Sequence, residues 1–295
     1  MKIVVTHGSP DLDAITSVWL IKKYLPGWQD ADVAFVPAGE RYKNIEYRMK
    51  NEEPIEKVGE DEIIHVDTGL GPLDHHQTND TNVCAASRVW DFVQKVEPNI
   101  TPQHKDAIQR IVNVVVDVDH FKEVFWGDPT ADYHEFSLLG VLDGLKLAKP
   151  NQDSYYVEFM SECLVALMHQ FENRDWAEKE IGQNGVEFTT KWGKAIGFET
   201  LNDTVIKLAQ KMGFVLVLRK DPRKGYVRIK ARPSSGEEKA IDLTLAYEKL
   251  KKIDPDATWF LHVSKKMLLN GSVKNPKMKA TKLSLKELIE VLKSV

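Results

Sequence analysis

Apolar and polar residues alternate in short blocks along the first third of the chain. β-branched runs end at polar segments, and apolar positions then recur at helical spacing. The pattern predicts strands at 2–6, 32–37 and 63–66, and helices from 11 to 25 and at 85–96. Strands that alternate with helices are typical of a parallel sheet, so we expect an α/β domain here.

The pattern changes twice further along the chain. Residues 102–213 show mostly helical spacing, with breaks at 127–129, 149–152 and 182–185. Residues 214–218 and 226–231 then flank a polar turn as a β-hairpin does, and 283–292 is a predicted helix. We therefore expect an α/β protein with an N-terminal parallel-sheet domain (1–148), a helical connector (149–212) and a smaller C-terminal α+β domain (213–295).

Composition excludes several classes of protein. With 295 residues, 42% hydrophobic and 28% charged, the chain is neither disordered nor collagen-like. Its apolar stretches are far shorter than the roughly 20 residues of a spanning helix, and its start turns polar too early for a secretory signal. We expect a cytoplasmic protein without a membrane partner. Cys84 and Cys163 form no paired-thiol motif, which argues against a disulfide framework or a thiolate zinc site.

Charge is divided unevenly along the chain. Residues 1–212 carry 21 Lys+Arg against 35 Asp+Glu, a net charge of −14, and residues 213–295 carry 19 against 9, a net charge of +10. An acidic part suits multivalent cations and a basic part suits a polyanion, so a phosphate-containing substrate would use both. Lysines that merely solubilise a small domain are the alternative.

Acidic and imidazole side chains cluster just after the predicted strands, as follows: His7, Asp11, Asp13, Asp67, Asp74, His75 and His76. The carboxyl ends of parallel strands form the ligand-binding edge of an open sheet, so we expect these groups to lie close together. Crowded carboxylates repel one another unless a cation neutralises them. Imidazoles and carboxylates without thiolates suit manganese or magnesium, and we expect manganese.

Each cluster also has an ordinary structural explanation. Asp11 is well placed to cap the first helix, and two adjacent histidines are common on protein surfaces. The metal hypothesis depends on separate clusters that share one context, the end of a strand followed by a loop.

These residues resemble a known family. Residues 7–14 read HGSPDLDA, residues 66–67 read VD and residues 74–76 read DHH. They look like motifs one to three of the DHH phosphoesterase superfamily, which includes RecJ-type nucleases, nanoRNA and cyclic dinucleotide phosphodiesterases, and manganese-dependent family II pyrophosphatases. The fourth motif of the family supplies one further aspartate, for which Asp119 is preferred here and Asp117 is the alternative.

The resemblance implies two divalent cations, Mn²⁺ by preference, with Mg²⁺ and Co²⁺ as alternatives. It implies that His7 and Asp11 hold one cation, that Asp13 and His75 hold the other, and that Asp67 and Asp119 are shared. Asp74 would orient an imidazole, and His76 would face the scissile phosphate; with Asp67 they form the predicted catalytic set. Arg88 and His120 are candidate phosphate contacts.

The C-terminal part offers candidate substrate-binding residues. Residues 257–262 and 269–272 look similar to the melanocyte-proliferating-gene type of DHH protein, a group implicated as RNA exonucleases. Asn270, Gly271 and Ser272 would turn backbone N–H groups and a hydroxyl toward a phosphate or a terminal nucleotide, although an Asn-Gly hairpin turn fits equally well. Arg228, Lys230 and Arg232 lie on one side of a predicted strand, and we expect them to capture substrate, with further lysines beside them: Lys265, Lys266, Lys274 and Lys277.

The sequence as a whole predicts a manganese-dependent phosphoesterase. Two-metal hydroxide attack on a phosphodiester of single-stranded RNA, a short oligonucleotide or a nucleotide, in the manner of a 3'-5' exonuclease, is the favoured activity, and an oligomer is compatible with it. An inorganic pyrophosphatase or small-molecule phosphohydrolase is the second hypothesis, although Ser264-Lys265-Lys266 only partly matches the Ser-Arg-Lys type of motif. The third is a non-catalytic regulator that binds a nucleotide or nucleic acid.

Overall fold

A computed structural model describes residues 1–44, 53–234, 240–272 and 275–295. The chain divides into two compact units, Met1–Glu172 and Asn173–Val295. This division differs from the expected boundaries at 148 and 212, and the three-part organisation stays a prediction. Lys274 lies outside the described residues.

The first unit contains a four-stranded, mostly parallel sheet. Its strands are β1 (Lys2–His7), β2 (Asp32–Val36), β3 (Glu56–Val58) and β4 (Asp61–His65), in the order β2-β1-β4-β3. β1 pairs in parallel with β2 and β4, and β3 adds an antiparallel edge. The three predicted strands and the α/β class are confirmed. The short edge strand β3 was not predicted.

Helices cover this sheet and provide most of the first core. They are α1 (Leu12–Tyr24), α2 (Ala85–Val96), α3 (Pro102–Asp119), α4 (Leu138–Ala148) and α5 (Asp153–Asn184), and the division between the units falls within α5. Thr101 caps α3 through its side chain, and Pro102 occupies the first turn, where no backbone donor is required. Trp90 and Ile108 are almost fully buried with α1, so the helices meet in one apolar cluster.

The second unit is built on a six-stranded sheet. Its elements are β5 (Val186–Thr190), β6 (Gly193–Glu199), α6 (Thr204–Lys211), β7 (Leu216–Lys220), β8 (Val227–Ala231), α7 (Thr244–Ile253), β9 (Trp259–Leu261), β10 (Met267–Asn270) and α8 (Leu285–Lys293). The strand order is β5-β6-β7-β8-β10-β9. β7 and β8 form the predicted antiparallel hairpin, and the C-terminal helix is also present.

The expectation of helix up to residue 213 is wrong for β5 and β6. These strands form an antiparallel hairpin whose turn leads into Gly193, at φ 126°. That backbone conformation suits glycine, and it ends any helical path at this point. Ile196 and Phe198 of β6 are buried, which gives the hairpin a place in the core.

Two smaller expectations concern cysteines and membrane spans. Cys84 and Cys163 are both free. Among the described residues, no helix combines the length and the apolar character needed to cross a lipid bilayer.

Candidate metal centre

Neighbouring parallel strands bring the first two motifs together. His7 is the last residue of β1, and Asp67 follows β4 by two residues. Because β1 and β4 are adjacent and parallel, both side chains emerge at the same edge of the sheet. The distance from His7 Nε2 to Asp67 Oδ2 is 3.3 Å, and that from His7 Nε2 to Asp11 Oδ2 is 3.7 Å. The predicted convergence of these residues is present.

Asp67 lies at the centre of the cluster. Its carboxylate is 2% exposed, and Oδ1 is 3.5 Å from His75 Nε2 and 3.8 Å from His76 Nδ1. The backbone of Asp67 has φ 53°, a left-handed conformation that non-glycine residues adopt rarely and that aspartate tolerates better than most. This turn directs one carboxylate toward three histidines.

His75 completes the cluster on its far side. Its Nε2 is 3.6 Å from Asp13 Oδ2 and 3.5 Å from Asp119 Oδ2. Asp119 is the last residue of α3, so the end of that helix delivers the fourth carboxylate. The structure therefore gathers all six predicted ligands, namely His7, Asp11, Asp13, Asp67, His75 and Asp119.

Asp11 and Asp13 also hold helices in place. Asp11 Oδ1 accepts a hydrogen bond from the Ala14 backbone N–H at 2.9 Å, so Asp11 is both the cap of α1 and a member of the cluster. Asp13 is buried, and its two oxygens accept from the backbone N–H groups of Ala85 and Ala86 at 2.8 and 2.6 Å. The start of α2 is thereby tied to the first motif.

Replacing Asp13 by asparagine should destabilise the metal-free protein. An amide NH₂ would face one of the two backbone N–H donors of α2, and a buried donor without an acceptor costs about 1–3 kcal/mol. We expect urea denaturation in EDTA to show a loss of this size. Asp119→Asn, which leaves the start of α2 unchanged, is the matched control, and an equal loss in both variants would contradict the bracing role.

The two histidines bind protons tightly in this setting. Burial alone would lower the pKa of His7, but its hydrogen bond to Asp67, the Gly8 carbonyl and the Asp11 charge outweigh burial and raise the pKa to about 9. The interaction with Asp67, helped by Asp119 and Asp13 against burial, raises the pKa of His75 to about 9. Burial raises the pKa of Asp67, but His7 and His75 outweigh it and lower that pKa.

The other three carboxyl groups of the cluster have raised pKa values, in contrast to Asp67. Burial, followed by the charge of Asp67, raises the pKa of Asp11, and the same two causes together with Asp119 raise that of Asp13 further. Burial and Asp67 also raise the pKa of Asp119, although His75 opposes them. Acidic groups crowded at one edge thus retain protons unless another positive charge offsets them.

The donor set fits divalent cations. Within the described part of the chain, Asp67 Oδ1, His75 Nε2 and Asp119 Oδ2 are buried and make no hydrogen bond, so the two oxygens, and the nitrogen once its proton has left, can serve as ligands. Three overlapping sets have ligand atoms within 4.8 Å of one another, namely His7–Asp11–Asp67, Asp67–His75–His76 and His75–Asp119–His120. Nitrogen and carboxylate donors without sulfur suit Mn²⁺ or Mg²⁺.

His76 differs from the buried groups because it reaches solvent. Its Nδ1 is 2.7 Å from Asp74 Oδ1, which also accepts the His76 backbone N–H at 3.1 Å. Asp74 is fully buried, and its other oxygen accepts from the Leu70 N–H at 2.8 Å. The His76 side chain is 58% exposed, so Asp74 holds one ring nitrogen while the ring remains accessible.

The residues near the end of α3 separate clearly. Asp117 is 43% exposed and lies 3.6 Å from Lys122 Nζ, away from the cluster. His120 Nε2 is 2.8 Å from the Val83 carbonyl and 3.6 Å from Asp119 Oδ2. Arg88 lies half-buried in the first turn of α2, next to the backbone that Asp13 holds. Between the two aspartates, the geometry favours Asp119.

A buried ionic cluster that the sequence does not reveal supports the Asp67 loop. Arg41 pairs with Glu56, and Glu56 Oε1 lies 3.0 Å from His65 Nδ1. Arg41 Nη1 donates to the Gly69 carbonyl at 2.7 Å, and Gly69 has φ 77°. A side chain at Gly69 would collide with Arg41, so the glycine and the arginine are packed as a pair. The cluster joins β3, β4 and the loop that carries Asp67.

Removal of this guanidinium should loosen the metal centre. We expect Arg41→Met to lower the free energy of unfolding by about 3 kcal/mol, because it leaves a largely buried carboxylate without its guanidinium partner. The affinity for Mn²⁺ should fall as well, since the Asp67 loop loses its tie at Gly69. Denaturation and calorimetry measure the two effects. Lys57 on β3 is exposed, and Lys57→Met serves as the control. Equal losses of stability and of Mn²⁺ affinity in both variants would contradict the supporting role of Arg41.

The C-terminal candidates are placed differently from the metal ligands. Arg228 and Lys230 share the partly exposed side of β8, as their alternation predicts, and Arg232 follows directly after the strand. Asp203, however, pairs with both Arg219 and Arg228, so part of the basic charge is offset within the second unit.

The side chain of Asn270 is hydrogen-bonded within the fold. It is fully buried; its Nδ2 donates to the Thr258 and Lys279 carbonyls, and its Oδ1 accepts the Thr281 N–H. Gly271 has φ 73° and packs against the ring of Tyr226. Ser272 Oγ accepts the Asn275 N–H at 3.1 Å. The Asn270 side chain is thus used within the fold, and the expected contact of the backbone N–H groups and the Ser272 hydroxyl with substrate stays a prediction.

Comparisons with known proteins give likenesses in fold only. No family model matches the chain, and no curated protein matches it. It is similar to the DHH domain of a protein described as belonging to a family of ribosomal proteins, at 11% identity, with 99% of this chain and 85% of that chain covered and a TM-score of 0.32. The pGpG-specific phosphodiesterase PggH from Vibrio cholerae is 13% identical, with coverages of 93% and 94% and a TM-score of 0.25.

A third likeness is to RecJ in complex with Mn²⁺ from Thermus thermophilus, at 10% identity and a TM-score of 0.28. It covers 99% of this chain and 51% of that chain. DHH-domain proteins are therefore among the structures to which the chain is similar. TM-scores this low carry no argument about activity, which has to come from the site itself.

Proposed function

We propose that this chain is a metal-dependent phosphoesterase that hydrolyses a phosphodiester of RNA, a short oligonucleotide or a nucleotide. One observation carries the proposal: two histidines and four aspartates meet at the edge of a parallel sheet, and three of their buried ligand atoms have no hydrogen-bond partner within the described residues. The resemblance of the motifs to DHH phosphoesterases supports the same activity.

The proposed ligand assignment is the one that the motif resemblance implies. His7 and Asp11 would hold one cation and Asp13 and His75 the other, and the nearness of Asp67 to both histidines supports a shared role for it. Divalent cations, Mn²⁺ by preference, supply Lewis-acid charge and lower the pKa of water when bound. The Gly8 carbonyl, 2.9 Å from His7 Nδ1, can hold a proton on that atom and leave Nε2 free to ligate.

His76 is the proposed proton donor and phosphate contact. Asp74 holds its Nδ1, and the exposed ring can present Nε2–H to a phosphate oxygen or to a leaving oxygen. Arg88 and His120 are proposed as further phosphate contacts. For the second unit we propose that Arg228, Lys230 and Arg232 bind the phosphates of single-stranded RNA or a short oligonucleotide. A 3'-5' direction, a cytoplasmic location and an oligomeric state are also proposals.

A substrate panel tests the activity. The full chain is incubated with Mn²⁺ and, separately, with labelled single-stranded RNA, single-stranded DNA, dinucleotides, bis(p-nitrophenyl) phosphate or pyrophosphate, and each reaction is repeated in EDTA. We expect metal-dependent release from at least one phosphodiester. Release from pyrophosphate alone would indicate a pyrophosphatase, and release from none of them would overturn the proposal in favour of a binding protein.

A further inference from the structure

The first unit contains a large apolar cavity. It has a volume of about 720 Å³ and lies among α3, α4, α5 and residues 123–137. This volume falls within the range of roughly 300–1,000 Å³ that is usual for small-molecule sites. Most of the lining is aliphatic or aromatic, with a few polar side chains among them, and this combination is typical of a ligand pocket.

The cavity adjoins the metal centre along two elements. Leu12 lines it and lies between Asp11 and Asp13, and Val118 lines it and precedes Asp119. Successive residues of a helix point about 100° apart, so the start of α1 and the end of α3 each present ligands to one side and apolar groups to the next. A molecule held at the metal centre through its phosphate could therefore place an adjacent apolar group in the cavity.

The lining favours a flat aromatic ligand that carries a hydrogen-bond donor. Trp126 and Phe136 provide aromatic surface, and the Phe136 side chain is 91% exposed. Glu123 also lines the cavity, and its Oε2 is buried without a hydrogen-bond partner among the described residues. A buried acceptor in an apolar wall needs a hydrogen-bond donor, which a ligand bound in the cavity can supply.

We propose that this cavity binds the nucleobase of the substrate, with Glu123 accepting N–H groups from the edge of the base. Guanine fits best, because its N1–H and N2–H donors lie side by side and match the two oxygens of a carboxylate. Adenine and cytosine place an acceptor beside their amino group, and uracil flanks its N–H with carbonyls. The inference rests on the proposed phosphoesterase function and specifies the class of its substrate.

Binding of nucleosides to the metal-free protein tests the cavity alone. Saturation-transfer NMR in EDTA compares guanosine, adenosine, cytidine, uridine and ribose. Val114→Trp fills the cavity from a position that is 40% exposed, and Asn113→Trp, on an exposed position of α3 outside the lining, is the matched control. Glu123→Gln keeps the shape of the side chain but removes its charge and replaces one acceptor oxygen.

We expect guanosine to bind most tightly, Val114→Trp to weaken it at least tenfold, and Asn113→Trp to leave it unchanged. Glu123→Gln should remove the preference for guanosine. Equal signals from ribose and guanosine, or guanosine binding that survives Val114→Trp, would overturn the proposal. Light scattering provides a further test. If Val114→Trp changed the mass of the oligomer but not guanosine binding, a second copy of the chain would cover the cavity, and the proposal would again be overturned.

The substrate panel separates this proposal from the function on which it rests. Phosphodiester hydrolysis without nucleoside binding would keep the metal centre and overturn the base site. Nucleoside binding that depends on Val114 and Glu123, without hydrolysis of any phosphoester, would support the base site and overturn the phosphoesterase.

Discussion

Asp67→Asn is expected to lower kcat by about a thousandfold or more with Mn²⁺, while the protein remains folded. The carboxylate of Asp67 lies within 3.3 to 3.8 Å of ring nitrogens of His7, His75 and His76, at the centre of the cluster. An amide keeps the shape of the side chain but removes its charge and one ligand oxygen. Cations held from both sides of Asp67 would lose their common ligand.

The backbone at this position makes asparagine the appropriate substitution. Asp67 adopts φ 53°, and asparagine tolerates this left-handed conformation about as well as aspartate. Alanine would add strain in the backbone to the loss of the ligand. A folded Asp67→Asn variant therefore reports on the charge.

Steady-state rates on whichever phosphodiester the panel identifies provide the measurement. Asp117→Asn is the matched control, since Asp117 is an aspartate of the same acidic region, half-exposed and paired with Lys122. We expect its rate to match that of the unmodified protein. A rate for Asp67→Asn within a few fold of the unmodified enzyme would remove Asp67 from the metal centre.

The strand-end motifs could be predicted because parallel pairing fixes where strands end. His7 and Asp67 lie 60 residues apart in sequence, yet the register of β1 against β4 brings them to one edge. Asp119 could not be separated from Asp117 in this way. Residues that are two positions apart on a helix, such as Asp117 and Asp119, point roughly 200° apart. Only the packing of α3 decides which of them faces the cluster. The structure turns Asp119 toward His75 and Asp117 toward Lys122.

Other features depend on contacts that no local pattern encodes. Arg41, Glu56 and His65 come from a loop and two strands, and none of them belongs to a recognisable motif. His65 lies in a run that reads simply as a buried strand. Formal charge misleads in a similar way in the second unit, where Asp203 offsets both Arg219 and Arg228. A count of basic residues therefore does not show which of them remain available to a nucleic acid.

Binding of Mn²⁺ is expected to release protons and to strengthen as pH rises. His7 and His75 have pKa values of about 9, so both rings are protonated at neutral pH in the metal-free protein. A cation can use a ring nitrogen only after its proton has left. Below about pH 9 the apparent affinity should rise about tenfold per pH unit for each proton released.

Calorimetry in two buffers of different ionisation enthalpy counts these protons. Between about pH 6.5 and 8.5 we expect more than one proton to leave for each fully loaded protein, and His7→Gln should reduce the number by about one. His169→Gln, whose side chain is 64% exposed beside Glu172, is the control and should change nothing. An affinity independent of pH, with no proton released, would contradict the protonated state of the cluster.

The same protons stabilise the metal-free fold, so its stability is expected to fall with rising pH, whereas the affinity for Mn²⁺ rises. A histidine whose folded pKa lies above its ordinary value near 6.5 stabilises the fold fully below that value, and the stabilisation is lost as pH rises through about 9. In EDTA the melting temperature should therefore fall between pH 6.5 and about 9. With Mn²⁺ in excess, the gain from binding should grow over that interval, because the cations take over the role of the protons in offsetting the crowded carboxylates. If the melting temperatures in EDTA and in Mn²⁺ changed by the same amount across this pH interval, cations and protons would not compete for the cluster.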